Sequence, residues 1–160
     1  MEPEDLAVLY QIESERSAWR VSSSGIPYSK YVLKQYLSMQ PADIFQSSEL
    51  RLTIQDSYSG NAVGVADLYG YSPVALKAEV GIALLKKEER KGYARKALEE
   101  LLQLANDKFR MHQLYAYVKT SNERSIKLFQ CAGFDIVATL KDWIYEDGAY
   151  HNVYLLQKFL

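Results

Sequence analysis

The sequence predicts a single α/β domain in which strands and helices alternate. Three observations carry this. A strand-like run from Glu79 to Leu85 passes through Glu89-Arg90-Lys91-Gly92-Tyr93-Ala94 into a strongly helical run from Tyr93 to Phe109. Two stretches, Leu50 to Tyr71 and Ile136 to Lys158, each alternate, turn and alternate again, the pattern of antiparallel hairpins. The 160 residues contain no repeat, low-complexity tract or linker, so residues 1–160 read as one domain.

The elements follow in order. Residues 4–18 place Leu6, Leu9, Tyr10 and Glu13 at helical spacing, and residues 29–39 form a second helix begun by Ser29. Val21 to Pro27 is the loop between them. Leu50–Gln55 and Ala62–Tyr71 pair across the Tyr58-Ser59-Gly60-Asn61 turn, and Ser72-Pro73 introduces the strand that carries Glu79. The helix from Tyr93 gathers Ala94, Ala97, Leu98, Leu101 and Ala105 on one face, with Arg95–Glu99 and Lys96–Glu100 as pairs on the other. Gln113–Lys119 is a strand, Asn122 starts a short helix closed by Gly133-Phe134, and the last hairpin turns at Asp147-Gly148.

Composition excludes several classes of function. A formal net charge of -1 gives no electrostatic basis for binding nucleic acid or an anionic membrane. No apolar run is long enough to span a bilayer, and Glu2, Glu4 and Asp5 stand where a signal peptide would be basic. The single Cys131 makes no internal disulfide and suits a reducing cytoplasm. It has no histidine nearby in sequence, so it reads as small packing rather than a nucleophile, and His112 and His151 do not suggest a metal site. The 13 tyrosines include Tyr69, Tyr71, Tyr115, Tyr117, Tyr145 and Tyr154 in strands, where packing with the hydroxyl at the rim is the ordinary reading.

Gly92 sits where strand becomes helix, among basic residues. The first N–H groups of a helix lack intrahelical acceptors and lie at the positive end of its dipole, so they can hold a phosphoryl group, and a glycine lets that group approach. Turn geometry alone would also account for it. A second segment, Asn122-Glu123-Arg124-Ser125 through Phe129 to Gly133-Phe134, lies about thirty residues on. Together with Ala78-Glu79-Val80-Gly81 and Glu146-Asp147-Gly148-Ala149-Tyr150, these segments resemble the GCN5-related (GNAT) N-acetyltransferases, nearest the ribosomal-protein N-terminal and polyamine subgroup.

The resemblance implies a mixed, mostly antiparallel twisted sheet flanked by helices, with splayed central strands and a first strand ahead of the first helix. It implies acetyl-CoA as co-substrate, its pantetheine arm lying along the backbone of Ile82, Ala83 and Leu84. The phosphates would meet N–H groups of Arg90, Lys91, Gly92, Tyr93, Ala94 and Arg95, with Asn122 and Ser125 near the arm and Glu89 and Phe129 at the remaining motif positions. As a physical reading Asn122 is by default a helix cap, which is compatible with a cofactor contact through its other atoms, and Ser125 is by default a helix-surface hydroxyl. Glu79 is the candidate base or water relay, or else a solvated strand residue. Gly81, two residues on, marks a bulge or a close approach, and a bulge N–H there would stabilise an oxyanion.

Two departures stand out. Phe129 occupies the position of a tyrosine general acid and has no proton to give, which leaves Ser125, water or no acid for the thiolate. Glu89 puts an anion beside the phosphates unless it turns away. A lysine-like amine costs about 4 to 5 kcal/mol to deprotonate at neutral pH, a peptide α-amine only about 1 to 1.5, so the acceptor sets the base required. Between Arg16 and Ser48 the charges are Arg16, Arg20, Lys30 and Lys34 against Asp43, so the acidic patch a polyamine would want is not visible there, although Asp142, Glu146 and Asp147 could contribute. The expectation is direct transfer to a protein N-terminal α-amine or small amine. A polyamine acceptor and a non-catalytic CoA-binding module are the alternatives, and an open sheet edge would suit a homodimer.

Overall fold

The computed structural model describes residues 1–14, 28–39 and 43–160. A 3-10 turn, Pro3–Asp5, leads into helix α1, Leu6–Glu13. The predicted helix is thus present to Glu13; its continuation from residue 15 and the loop at 21–27 lie outside the described residues. Helix α2, Lys30–Met39, begins where the Ser29 hydroxyl accepts the Val32 N–H at 3.2 Å, the N-cap bond expected of that serine. Helix α3, Ile44–Ser47, is additional to the predicted elements. Asp43 caps it by accepting the Phe45 N–H at 2.9 Å, and an element this short leaves no periodic pattern.

The strands are β1, Leu50–Gln55; β2, Ala62–Ser72; β3, Lys77–Leu84; β4, Gln113–Lys119; β5, Asp135–Glu146; and β6, Ala149–Phe159. Helix α4, Tyr93–Asp107, joins β3 to β4, and helix α5, Glu123–Cys131, joins β4 to β5. All six strands lie in one sheet ordered β1-β2-β3-β4-β6-β5, antiparallel throughout except for the parallel β3–β4 pair. Edges fall at β1 and β5, and no strand precedes α1 among the described residues. The Asp147-Gly148 turn has φ of 51° and 83°, the left-handed pair that a two-residue hairpin demands.

Strand alternation gives the sheet two different faces. On one, Leu68, Val80, Leu114, Ala116 and Leu156 pack with Leu98, Leu101 and Ala105 of α4 and with Phe129 of α5, forming the main core. Each leucine, valine and phenylalanine among them contributes about 1.5 to 3 kcal/mol when fully buried. The other face is covered by α1, where Ile12 packs on Val65 and Leu85 and Leu9 packs on Leu33 and Leu37 of α2. On the exposed side of α4 Arg95 pairs with Glu99 at 2.9 Å, whereas the predicted Lys96–Glu100 pair is not formed among the described residues.

Candidate active site

Strands β3 and β4 pair only at Lys77–Gln113, Ala78–Leu114 and Glu79–Tyr115, and from there they part. The β3 edge from Val80 to Leu84 that faces β4 therefore keeps backbone groups without a strand partner, while its other edge stays paired with β2 to Leu84. Ile82, Ala83 and Leu84 are half-buried along this opening. At about 3.3 Å per residue, Glu79 to Leu84 spans roughly 17 Å, which suits an extended pantetheine arm added as a pseudo-strand.

Beyond Leu84 comes a 3-10 turn, Lys86–Glu88, and then a loop in which Arg90 and Gly92 both have positive φ, 65° and 88°. Gly92 is the residue before α4, and no side chain caps the helix. Its first satisfied bond is from Lys96 N–H to Gly92 C=O at 3.3 Å. The N–H groups of Arg90 to Arg95 accordingly have no acceptor among the described residues. A Cβ on Gly92 would meet nothing within 4 Å, so the glycine is there for its backbone conformation, and the space before it is open to an anion. Tyr93 turns its hydroxyl away to Asp56 at 2.6 Å, fastening the β1–β2 turn to the start of α4 and, with the Ser59 N–H, holding Asp56 down to about 2.

Helix α5 begins at the end of β4, so both helix N-termini stand at the carboxyl ends of the two parallel strands, where ligands bind in such sheets. Asn122 Oδ1 accepts the Ser125 N–H at 3.1 Å, which leaves its amide NH₂ available to a ligand. Cap and cofactor contact are thus compatible. Glu89 accepts from Arg124 at 2.6 Å across the gap between the two helices, so its charge is paired beside the unbonded amides ahead of α4. Arg124 was not among the predicted site residues, because a loop-to-helix pair has no sequence spacing that would reveal it.

Glu79 is half-buried, with no hydrogen bond or ion pair to the described residues, and burial raises its pKa. Its strand neighbours in register are Tyr69 on β2 and Tyr115 on β4. Burial raises the Tyr115 hydroxyl as well, followed by the charge of Glu79. Strand β3 runs through Gly81 in unbroken register. The bulge lies instead on β2, at Gly70 and Tyr71 opposite Ala78, so the oxyanion donor expected from a Gly81 bulge is not formed. Gly81 serves a close approach: a Cβ there would lie 3.1 Å from the Tyr69 ring.

Beside Tyr69 is a buried polar network. Arg51 grips Asp67 through two nitrogens, at 2.7 and 3.3 Å, and reaches Glu13 of α1 at 3.1 Å and the Tyr69 hydroxyl, which in turn donates to Asp67 at 2.6 Å. Burial opposes the Arg51 charge, but Asp67 and Tyr69 hold the guanidinium protonated. Lys119 and Glu146 form a second internal ion pair at the end of β4. The partners in both clusters come together only through strand register, which pattern reading does not supply.

Glu79, Ile82, Ala83 and Leu84 lie along β3 where it parts from β4, and the Arg124–Glu89 pair brings the loop Glu89–Arg95 beside the start of α5, which follows Asn122 and carries Ser125. Phe129 is the exception among the assigned residues. It is buried in the core, its ring edge-on to Phe134 at 5.0 Å, and can only support the site from behind. Cys131 is exposed at the end of α5, not packed as expected, because the turn of the helix carries it past the core face. Among the described residues no cluster of His, Cys, Asp or Glu could hold a metal ion, and no helix is long and apolar enough to cross a membrane.

A family model described as an acetyltransferase (GNAT) domain matches residues 1–135. The chain is 25% identical over 117 residues to a spermidine N(1)-acetyltransferase of Vibrio cholerae, covering 71% of this chain and 67% of that protein. It is 26% identical over 96 residues to a Bacillus subtilis protein named as a candidate ribosomal N-acetyltransferase, covering 60% of this chain and 52% of the other. Among solved structures, the V. cholerae spermidine N-acetyltransferase in complex with CoA and spermine superposes with a TM-score of 0.88 at 21% identity, over 99% of this chain and 92% of that one. A dodecameric form of that enzyme gives a TM-score of 0.82 at 21% identity, over 99% and 90%.

Proposed function

The chain belongs to the GNAT acetyltransferase family, whose acetyl donor is acetyl-CoA, and from that premise we propose that it transfers acetyl directly to the primary amine of a protein N-terminus or a small molecule. The observation that supports this most is the opening between β3 and β4, with Glu79 at its apex and unbonded helix amides at its mouth. Acetyl-CoA supplies an activated carbonyl and a good leaving thiolate. The N–H groups of Arg90 to Arg95 hold its phosphates, with Arg90, Lys91 and Arg95 adding charge. The unpartnered edge of Ile82 to Leu84 orients the arm, and the Asn122 amide donates to it.

Glu79 takes the proton of the attacking amine, directly or through a water. Partial burial raises its basicity, and it competes with no internal cation for that proton. The Ser125 hydroxyl, half-buried on α5 and with no hydrogen-bond partner among the described residues, is the candidate to relay a proton from water to the thiolate. A thiol pKa near ~8.5 makes this an undemanding step, which is consistent with a phenylalanine at position 129.

An acceptor with one charge is favoured over a polyamine because the buried carboxylates of the sheet each already meet a cation. Asp67 and Glu13 share Arg51, and Glu146 holds Lys119, so among the described residues Glu79 is the acidic group at the apex left for an ammonium. The polyamine reading draws on the names of the Vibrio cholerae relatives, and assembly into a homodimer or larger oligomer draws on the dodecameric one. The test is CoA-thiol release across a panel of N-terminal peptides, monoamines and polyamines, with steady-state patterns. Intersecting lines and a monoamine or peptide preference are expected. Parallel lines would refute direct transfer, a spermidine preference would refute the acceptor class, and CoA binding without release for any amine would leave a CoA-binding module.

A further inference from the structure

Strand β5 loses register with β6 between Leu140 and Ile144, where Lys141, Asp142 and Trp143 stand opposite Asn152 alone. Asp142 takes a left-handed conformation, φ 50°, and its N–H is held by Asn152 Oδ1 at 2.9 Å. A bulge of this kind re-aims a side chain. The one it re-aims is Trp143, whose indole crosses β6 and lies on Tyr117 of β4, with centroids 6.1 Å apart and planes at 28°. Tyr117 meets Tyr115 edge-on at 5.6 Å, and Tyr115 pairs in register with Glu79. Three rings therefore form a continuous ladder from the surface to the carboxylate at the apex.

Packing does not account for it. Trp143 is 56% exposed, and Tyr117 and Tyr115 are only half-buried, so the ladder offers its outer side to whatever approaches Glu79. The ladder's one ring next to Glu79 already holds a cation: the Lys77 ammonium sits 5.8 Å over Tyr115, while Lys119, two residues beyond Tyr117, is paired with Glu146. A flat aromatic surface that already holds one ammonium offers an apolar or planar group its stacking area and repels a second cation.

We infer that Trp143 and Tyr117 form the subsite for the body of the acceptor, so that the enzyme selects amines bearing an apolar or planar group next to the nitrogen. This rests on the transferase reading and deepens it by naming the acceptor class. The ladder binds the body while Glu79 meets the amine, and the bulge at Asp142 sets the distance between them.

The experiment compares acceptors matched in charge: phenethylamine against ethylamine, and peptides beginning with Phe or Leu against those beginning with Gly or Ser. Wild type should prefer the apolar member of each pair. Trp143→Ala should raise KM for the apolar acceptors about tenfold with kcat nearly unchanged, bring the preference towards one, and leave CoA affinity unaltered. An unchanged preference in Trp143→Ala, or a ladder-dependent preference for a second ammonium, would overturn the inference while leaving the transferase reading intact. If wild type transfers acetyl to no amine, that reading fails by itself. The subsite is then judged by indole fluorescence in a Trp19→Phe background, where Trp143 is the only reporter: a saturable change with phenethylamine and none with ethylamine supports it, and no change with either overturns it.

Discussion

At the scale of single residues, Glu79 ties catalysis to stability. Burial raises its pKa, so folding favours its protonated form. The stabilising contribution is therefore fully present below the unfolded pKa and is lost as pH rises through the folded one. At neutral pH the ionised side chain is a net cost, and Glu79→Gln should raise Tm while lowering kcat by about a hundredfold or more and leaving CoA affinity within about twofold. For wild type, the acid limb of kcat/KM should fall above the ~4.3 of an ordinary glutamate. A pH-rate profile and a thermal melt check both halves, and unchanged turnover in Glu79→Gln across pH would remove this carboxylate from the mechanism. Gly92 makes a second residue-level case, because φ of 88° disfavours any side chain while the space in front of it is empty. Gly92→Val should cost about 1 to 2 kcal/mol of stability from conformation alone and weaken CoA binding at least tenfold by calorimetry, since its branched side chain occupies the phosphate approach.

Between elements, the strongest internal constraint is Arg51. It joins β1 to β2 through Asp67 and Tyr69, and the sheet to α1 through Glu13, almost entirely out of solvent. Arg51→Met leaves the buried Asp67 without its guanidinium and should cost about 3 to 5 kcal/mol in urea unfolding, far more than losing the exposed Arg124–Glu89 pair, for which about 0 to 1 is expected. A cost below about 1 kcal/mol for Arg51→Met would show that water replaces the guanidinium. The same comparison explains what could be read from the sequence. Helix α4 was legible because Leu98, Leu101 and Ala105 repeat on one face, and both hairpins because alternation and turn residues are local signals. Arg51 with Asp67, Glu89 with Arg124 and Trp143 with Tyr117 were not, because each pair depends on strand register, loop path or a bulge that distant parts of the chain determine together. Gly70, not Gly81, carries the bulge for the same reason: either glycine permits one, and only the pairing of β2 with β3 decides.

For the whole molecule the unresolved balance is at the sheet edges. β1 is partly covered, whereas β5 is exposed along most of its length, with Ile136 and Val137 presented near its start. An open strand invites another chain, but β5 is interrupted twice, at Val137 and again from Lys141 to Trp143, and such breaks prevent long edge-to-edge pairing. Open-ended stacking is therefore disfavoured, while a closed assembly that covers Ile136 and Val137 through their side chains is not. On this basis the protein should form a discrete oligomer, and Val137→Lys should dissociate it without changing CoA affinity, because residue 137 is remote in the sheet from the opening between β3 and β4. Light scattering after gel filtration, over a range of protein concentrations, measures the first effect and calorimetry the second. A wild-type chain that stays monomeric throughout that range would mean that the bulges and the charges of Asp135 and Lys141 suffice to keep the edge solvated, and that the active site is complete within one copy.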